Sequence, residues 1–259
     1  MMQRKPANRS DMLVTGLGVL AVVVLTLGIF MAFVYAPTDR DQGDAQRIFY
    51  VHVPMAWLAY LAMGVVFIGS VGYMWKRSAR MDRLARSSAE LGFLFTTLVL
   101  ITGSIWGRPI WNAWWQWEAR LTTTLILWFI FIGYFMVRAY AGDAERGARY
   151  AAVLGIIGAI DVPIIHQSVK WWRTLHPEPI VLDTAGPNLP DSMLVTLLVC
   201  LAGFTLLYAF LMVLKMQIEW ARDVLAEREL TALLAPEGNQ AERRTVATVS
   251  HKVSGAAED

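Results

Sequence analysis

Histidine is the residue type in this sequence best suited to binding a metal, because a neutral imidazole nitrogen is a common metal ligand. The chain of 259 residues contains four histidines and one cysteine. His52 stands alone, whereas His166 and His176 share one stretch of the chain; His251 lies in a polar tail and is set aside. Cys200 lies inside an apolar block, is predicted to be a buried thiol, and has no partner for a disulfide within the chain.

A second unusual feature is residues 106–120, the Trp-rich segment, in which five of the fifteen residues are tryptophan. This density exceeds what an interfacial aromatic belt needs to anchor one span end, although such a belt remains the alternative interpretation. Pro109 suits the first turn of a helix, so we predict a short amphipathic helix lying flat at the membrane interface. Helical spacing would place four residues on one face, with Trp117 beside them: Trp111, Trp114, Trp115 and Glu118.

Together these features suggest a platform for a large planar ligand, and haem fits the description. Its iron takes imidazole nitrogens as axial ligands, its propionates pair with arginine, and tryptophan rings pack on its apolar surface. His52 and His176 come from separate segments and could approach opposite faces of the iron. His166 would be a neighbouring or structural residue, with a role as a ligand as the alternative. Arg108 and Arg120 flank the platform and would either bind propionates or serve as simple interfacial anchors.

The elements that must position these residues are predicted to be membrane-spanning helices. The chain is 56% hydrophobic and only 17% charged, whereas a soluble domain carries about a quarter charged residues. The apolar residues form six blocks, each near the roughly 20 residues that cross a bilayer as a helix. The blocks cover residues 12–36, 48–75, 88–105, 121–137, 150–165 and 192–214. The predicted fold class is therefore an all-α integral membrane protein with six transmembrane helices.

Positive charge predicts the orientation of these spans, because arginine and lysine concentrate on the cytoplasmic side. One side carries 17 of the 23 basic residues, including those near both termini, which are therefore predicted to be cytoplasmic. The outer loops would be 37–51, 106–120 and 166–191, which places three histidines and the Trp-rich segment outside. Asp161, near the outer end of the fifth block, is either a functional acid or a solvated helix end.

The domain prediction is one membrane domain of residues 1–235 followed by a polar, disordered cytoplasmic tail of residues 236–259. The net charge of +2 gives no indication of nucleic-acid binding, so the lipid bilayer is the expected environment.

The Trp-rich segment resembles the tryptophan-rich signature of the WWD-domain haem-handling proteins. With the stretches 50–54 and 168–176, the chain is similar to the cytochrome c maturation protein C (haem exporter protein C) branch of that family. The resemblance implies a bacterial inner-membrane protein that presents haem b on the periplasmic side to a membrane haem chaperone. It further implies a complex with ABC transporter subunits and a small membrane subunit. The predicted role is haem transfer, and the sequence assigns no enzymatic activity to it.

The same resemblance assigns roles to individual residues, with His52 and His176 as the axial ligands of the haem iron. The haem platform would consist of Trp106, Gly107, Trp111, Trp114, Trp115, Trp117 and Glu118. Apart from the resemblance, we predict that His166, Trp171 and Trp172 lie beside the ligands. The sequence departs from the family pattern at three positions: Asn112 replaces a common glycine, Glu118 the usual aspartate, and Pro177 the usual glutamine.

Two other classes of protein remain as alternatives. A b-type cytochrome or quinone-linked redox subunit would hold haem permanently, and it would need ligand histidines deeper within facing helices. His52 and His176 lie at or outside the predicted membrane edge, which favours exchangeable haem. A small-solute transporter would need a polar pathway, whereas the predicted spans contain almost no charge except Glu90 and Asp161.

Overall fold

The fold is a bundle of long helices, seen in a computed structural model that describes residues 9–172, 175–176 and 189–233. Six helices are long and apolar enough to cross a membrane, which confirms the predicted fold class of a multi-pass membrane protein. Within the described ranges, β structure is limited to an isolated bridge between Asp39 and Gly43. The helices are α1 (Arg9–Val34), α2 (Phe49–Lys76), α3 (Ala79–Trp111), α4 (Ala119–Tyr140), α5 (Ala144–Trp171) and α6 (Asp191–Leu233), and a short 3₁₀ helix, Asp44–Ile48, precedes α2.

Several helices extend beyond the apolar blocks that predict them. α3 begins at Ala79, well before residue 88, and α6 continues past residue 214 to Leu233. The added residues include arginine, glutamate and alanine, which favour helix, so the backbone continues its hydrogen bonding outside the apolar region. Among the described residues, those up to Met216 form one compact unit and those from Gln217 onward a second. The predicted boundary at residue 235 and the tail beyond it lie outside the described residues.

Helix α2 lies at the centre of the first unit, where it packs against α3 and α5, while α4 packs against α5 and α3. Glycines allow these helices to approach closely, as is common where helices associate within a bilayer. A Cβ added at Gly92 on α3 would clash with the Phe131 ring on α4. A Cβ at Gly155 on α5 would clash with the Ser70 side chain on α2. The bundle that supports the site therefore has little freedom to repack at these two contacts.

The described residues of three connections, α1–α2, α3–α4 and α5–α6, lie at the same end of the spanning helices, which we call the site end. Arg47 ties the first of these connections together, because its guanidinium donates to the carbonyl of Ala32 and to Asp44 Oδ1 at 3.0 Å. The helices extend into the predicted outer loops, and this corrects the bounds of those loops. Helical structure takes in residues 49–51, 106–111, 119–120 and 166–171, because each apolar helix continues into its polar flank.

Candidate functional site

The Trp-rich segment is not the separate amphipathic helix that its spacing predicts, and that prediction is wrong. Pro109 lies inside the last turn of α3, which ends at Trp111. Asn112 then takes a left-handed conformation (φ 54°), which asparagine adopts more readily than most residues and which stops a helix. The chain from residue 112 to Glu118 is non-helical, and α4 begins at Ala119. The tryptophans are therefore arranged by the α3–α4 connection rather than by helical periodicity.

His52 lies in the first turn of α2 and is buried, with 7% of its surface exposed. Its Nδ1 lies 2.8 Å from Thr102 Oγ1 on α3. The Thr102 hydroxyl donates its own proton to the carbonyl of Leu98 at 2.7 Å, so it accepts from the Nδ1–H of His52. This tautomer leaves Nε2 as the nitrogen with a lone pair for a metal. Sequence reasoning identified His52 but did not identify Thr102.

Trp106 packs against His52 and connects two parts of the site end. Its ring meets the His52 ring edge-on, with centroids 5.6 Å apart. Its Nε1 donates to Gln42 Oε1 at 3.0 Å, which links α3 to the α1–α2 connection. Gly103, one turn earlier on α3, leaves room for the imidazole, since a Cβ there would lie 3.1 Å from His52 Cε1. Gln42 and Gly103 are thus further residues that position this histidine.

His176 is held by Glu118, which comes from the α3–α4 connection. The His176 Nδ1 lies 3.1 Å from Glu118 Oε1, and since an ionised carboxylate only accepts, Nδ1 donates. The backbone N–H groups of Leu175 and His176 both donate to Glu118 Oε2, at 3.1 and 3.3 Å. The Trp111 ring lies 5.5 Å from the His176 ring. Glu118 therefore contacts His176, the proposed iron ligand, and does not share a helical face with the tryptophans as predicted.

The two histidines converge on the last turns of α3. His52 contacts Trp106 and His176 contacts Trp111, and the Cα atoms of these tryptophans are about 7.5 Å apart along the helix axis. The chain thus brings together, from α2, α3 and the two connections, the two histidines that sequence reasoning paired.

The remaining tryptophans present an open aromatic surface at the site end. Trp114 and Trp117 are 62% and 77% exposed, and Trp115 packs edge-on against Trp117 with centroids 5.5 Å apart. The Trp115 Nε1 is buried without a hydrogen-bond partner in the described part of the chain. Gly107 is buried beneath Trp111, where a Cβ would lie 3.0 Å from Trp111 Cε3. On α5, Trp171 contacts its exposed neighbour, Trp172.

The two arginines and His166 occupy different settings. Arg108 is exposed and donates to Asn112 Oδ1. Arg120 donates weakly to the carbonyl of His166 at 3.5 Å, and its Nε is buried without a hydrogen bond to any described residue. His166 lies within α5 rather than in a loop, which corrects its predicted placement, because the helix continues to Trp171.

Asp161 lies well inside α5, ten residues before the end of that helix. It is 8% exposed, so the interpretation of a solvated helix end is wrong. Its Oδ2 finds no hydrogen bond within the described ranges.

Comparison with known proteins shows extensive similarity. Residues 4–231 match the family model described as Heme exporter protein C. The Heme exporter protein C of Bradyrhizobium diazoefficiens is 42% identical over 201 residues, which cover 78% of this chain and 76% of that protein. The protein of the same name from Escherichia coli K12 is 37% identical over 203 residues, covering 78% and 81%. A "Putative cytochrome c biosynthesis ccmC-like mitochondrial protein" of Marchantia polymorpha is 35% identical over 189 residues, covering 73% and 80%.

Proposed function

The chain belongs to the Heme exporter protein C family, and on that premise we propose that it binds haem and presents it to a membrane haem chaperone. The family name implies haem handling, and the name of the Marchantia relative implies cytochrome c biosynthesis. The haem would be haem b, carried as cargo. The site end would face the periplasm of a bacterial inner membrane, in accord with the excess of arginine and lysine at the opposite end.

The observation that carries this proposal is the pair of histidines held through Nδ1 beside the end of α3. A histidine engaged at Nδ1 ligates iron through Nε2, and an orienting partner on the other nitrogen is typical of metal-binding histidines. The porphyrin supplies four nitrogen ligands, so His52 and His176 would complete the coordination of the iron. Among the described residues, no group of three or more His, Cys, Asp or Glu side chains is placed to hold a bare metal ion.

The aromatic surface would bind the macrocycle while leaving it exchangeable. Trp114 and Trp117 are largely exposed, so stacking on the porphyrin would remove apolar surface from water. Arg120 has a buried Nε that would gain an acceptor from a propionate, and Arg108 would meet the other propionate at the exposed rim. His166, Trp171 and Trp172 would shape the neighbouring rim.

The proposed role requires partners rather than catalysis. Presentation leaves the bonds of the porphyrin unchanged, so we propose haem transfer and no enzymatic step on haem itself. The partners would be the chaperone that accepts the haem, ABC transporter subunits and a small membrane subunit. The exposed rings at the site end would give an acceptor access to the bound haem.

A haem-exchange experiment separates this function from that of a b-type cytochrome. Haem-loaded protein in detergent is mixed with excess apomyoglobin, which captures any haem that dissociates. We expect the myoglobin spectrum to develop as haem leaves, because the proposed site is open at its tryptophan face. Haem-loaded protein mixed with holomyoglobin is the control, and the absorption spectrum of that mixture should not change with time. Haem that stays on the protein through repeated reduction and oxidation would instead support a permanent redox cofactor.

A further inference from the structure

We infer that Glu118 is a positioning residue that makes His176 the stronger of the two axial ligands. The inference rests on the proposed function, because it concerns the haem iron that His52 and His176 would share. Its basis is a difference in the groups that hold the two imidazoles. His176 is held by a carboxylate, whereas His52 is held by a neutral hydroxyl.

The carboxylate of Glu118 contacts both the ring and the backbone of His176. Oε1 accepts from the imidazole Nδ1, while Oε2 accepts from the backbone N–H groups of Leu175 and His176. The Glu118 side chain is only 7% exposed, so water competes little for these hydrogen bonds. One side chain thus fixes the position of the residue, the orientation of the ring and the nitrogen that carries the proton.

The position of Glu118 also favours its negative charge. It is the residue immediately before α4, and although its side chain makes no capping hydrogen bond, the dipole of that helix places partial positive charge at this end. A charged acceptor makes a stronger hydrogen bond than a neutral one. The Nδ1 proton of His176 is therefore drawn toward the carboxylate, which raises the electron density and the ligand strength of Nε2.

The hydroxyl that holds His52 has a weaker effect. Thr102 Oγ1 carries no charge, and its own proton is committed to the carbonyl of Leu98. The Thr102 hydroxyl orients the His52 imidazole but raises the electron density at its Nε2 only a little. The iron bond to His52 would then break first during transfer, with the electron pair returning to the imidazole nitrogen. The haem would remain on His176, its oxidation state unchanged, with one axial position open to the acceptor.

Resonance Raman spectroscopy of ferrous haem measures this difference directly, through the iron–histidine stretching frequency. In the full-length protein, His52→Ala leaves haem on His176, and His176→Ala leaves it on His52. We expect the higher frequency for haem bound by His176. Adding Glu118→Gln to the His52→Ala protein should lower the frequency for haem on His176 toward the value for haem on His52. Adding Thr102→Val to the His176→Ala protein should change the frequency for haem on His52 only a little. Equal frequencies in the two single variants, or no shift with Glu118→Gln, would overturn the inference.

A redox titration tests the same point with both histidines present. Loss of a partner that orients a ligand costs about 10- to 100-fold in metal affinity. We expect Glu118→Gln to weaken ferric haem about tenfold more than ferrous haem, which raises the midpoint potential by about 59 mV. Thr102→Val should raise the midpoint potential clearly less than Glu118→Gln does. An equal or larger rise in the Thr102→Val protein would contradict the inference. Failure of the wild-type protein to bind haem would remove the proposed function itself, whereas bound haem without these differences removes only the role of Glu118.

Discussion

Replacement of His52 or His176 by alanine is expected to lower haem delivery to c-type cytochromes at least tenfold. Each change would remove an iron ligand, and even loss of a residue that only orients a ligand costs about 10- to 100-fold in affinity. His176→Ala should have the larger effect, because Glu118 holds that imidazole through a charged acceptor. The measurement is the yield of haem-stained c-type cytochrome in bacteria that lack their own family member and express each variant.

The control for this prediction is His251→Ala, which changes a histidine of the polar tail, outside the described residues. It should support wild-type cytochrome yields at an equal amount of membrane-inserted protein, measured by immunoblot. Wild-type yields from both His52→Ala and His176→Ala would show that neither residue ligates the transferred haem.

Removal of two tryptophans should weaken haem binding while the histidines stay in place. Burial of one large apolar side chain is worth about 1.5–3 kcal/mol, and about 1.4 kcal/mol corresponds to a tenfold change in affinity. Because Trp114 and Trp115 would each cover only part of the porphyrin, we expect the double alanine variant to raise the Kd for haem about 10- to 100-fold. Absorbance titration of the purified protein with haem gives this value.

Trp75→Ala is the matched control, since Trp75 is 81% exposed and lies at the other end of α2. Its loss should leave the Kd unchanged, although it removes an exposed indole from the same protein. If the double variant at Trp114 and Trp115 also binds haem as tightly as the wild type, the segment is an aromatic belt and not a haem platform.

The six spans could be predicted from the sequence because an uninterrupted apolar run has few ways to satisfy its backbone in lipid. Their ends could not be predicted equally well, because polar residues with high helix propensity extend a helix beyond the membrane. His166, predicted in a loop, therefore lies within α5. The burial of Asp161 depends instead on helix packing, which its position in the sequence did not reveal.

The contacts that hold the proposed ligands depend on packing and were not visible in the sequence. Thr102 lies 50 residues from His52, and Glu118 lies 58 residues from His176, so no local spacing indicates either pair. Asn112 did carry a signal, since asparagine often ends a helix in the left-handed conformation. The interpretation of Pro109 as a helix start outweighed that signal and gave the wrong local structure.

The central claim is that His52 and His176 bind one haem, and the absorption spectrum of the purified protein tests it most directly. We expect the wild-type protein to show the spectrum of low-spin haem with two histidine ligands. The double variant His52→Ala/His176→Ala, loaded with the same amount of haem, should lose that spectrum. A wild-type protein that binds no added haem, or a double variant with an unchanged low-spin spectrum, would contradict the account.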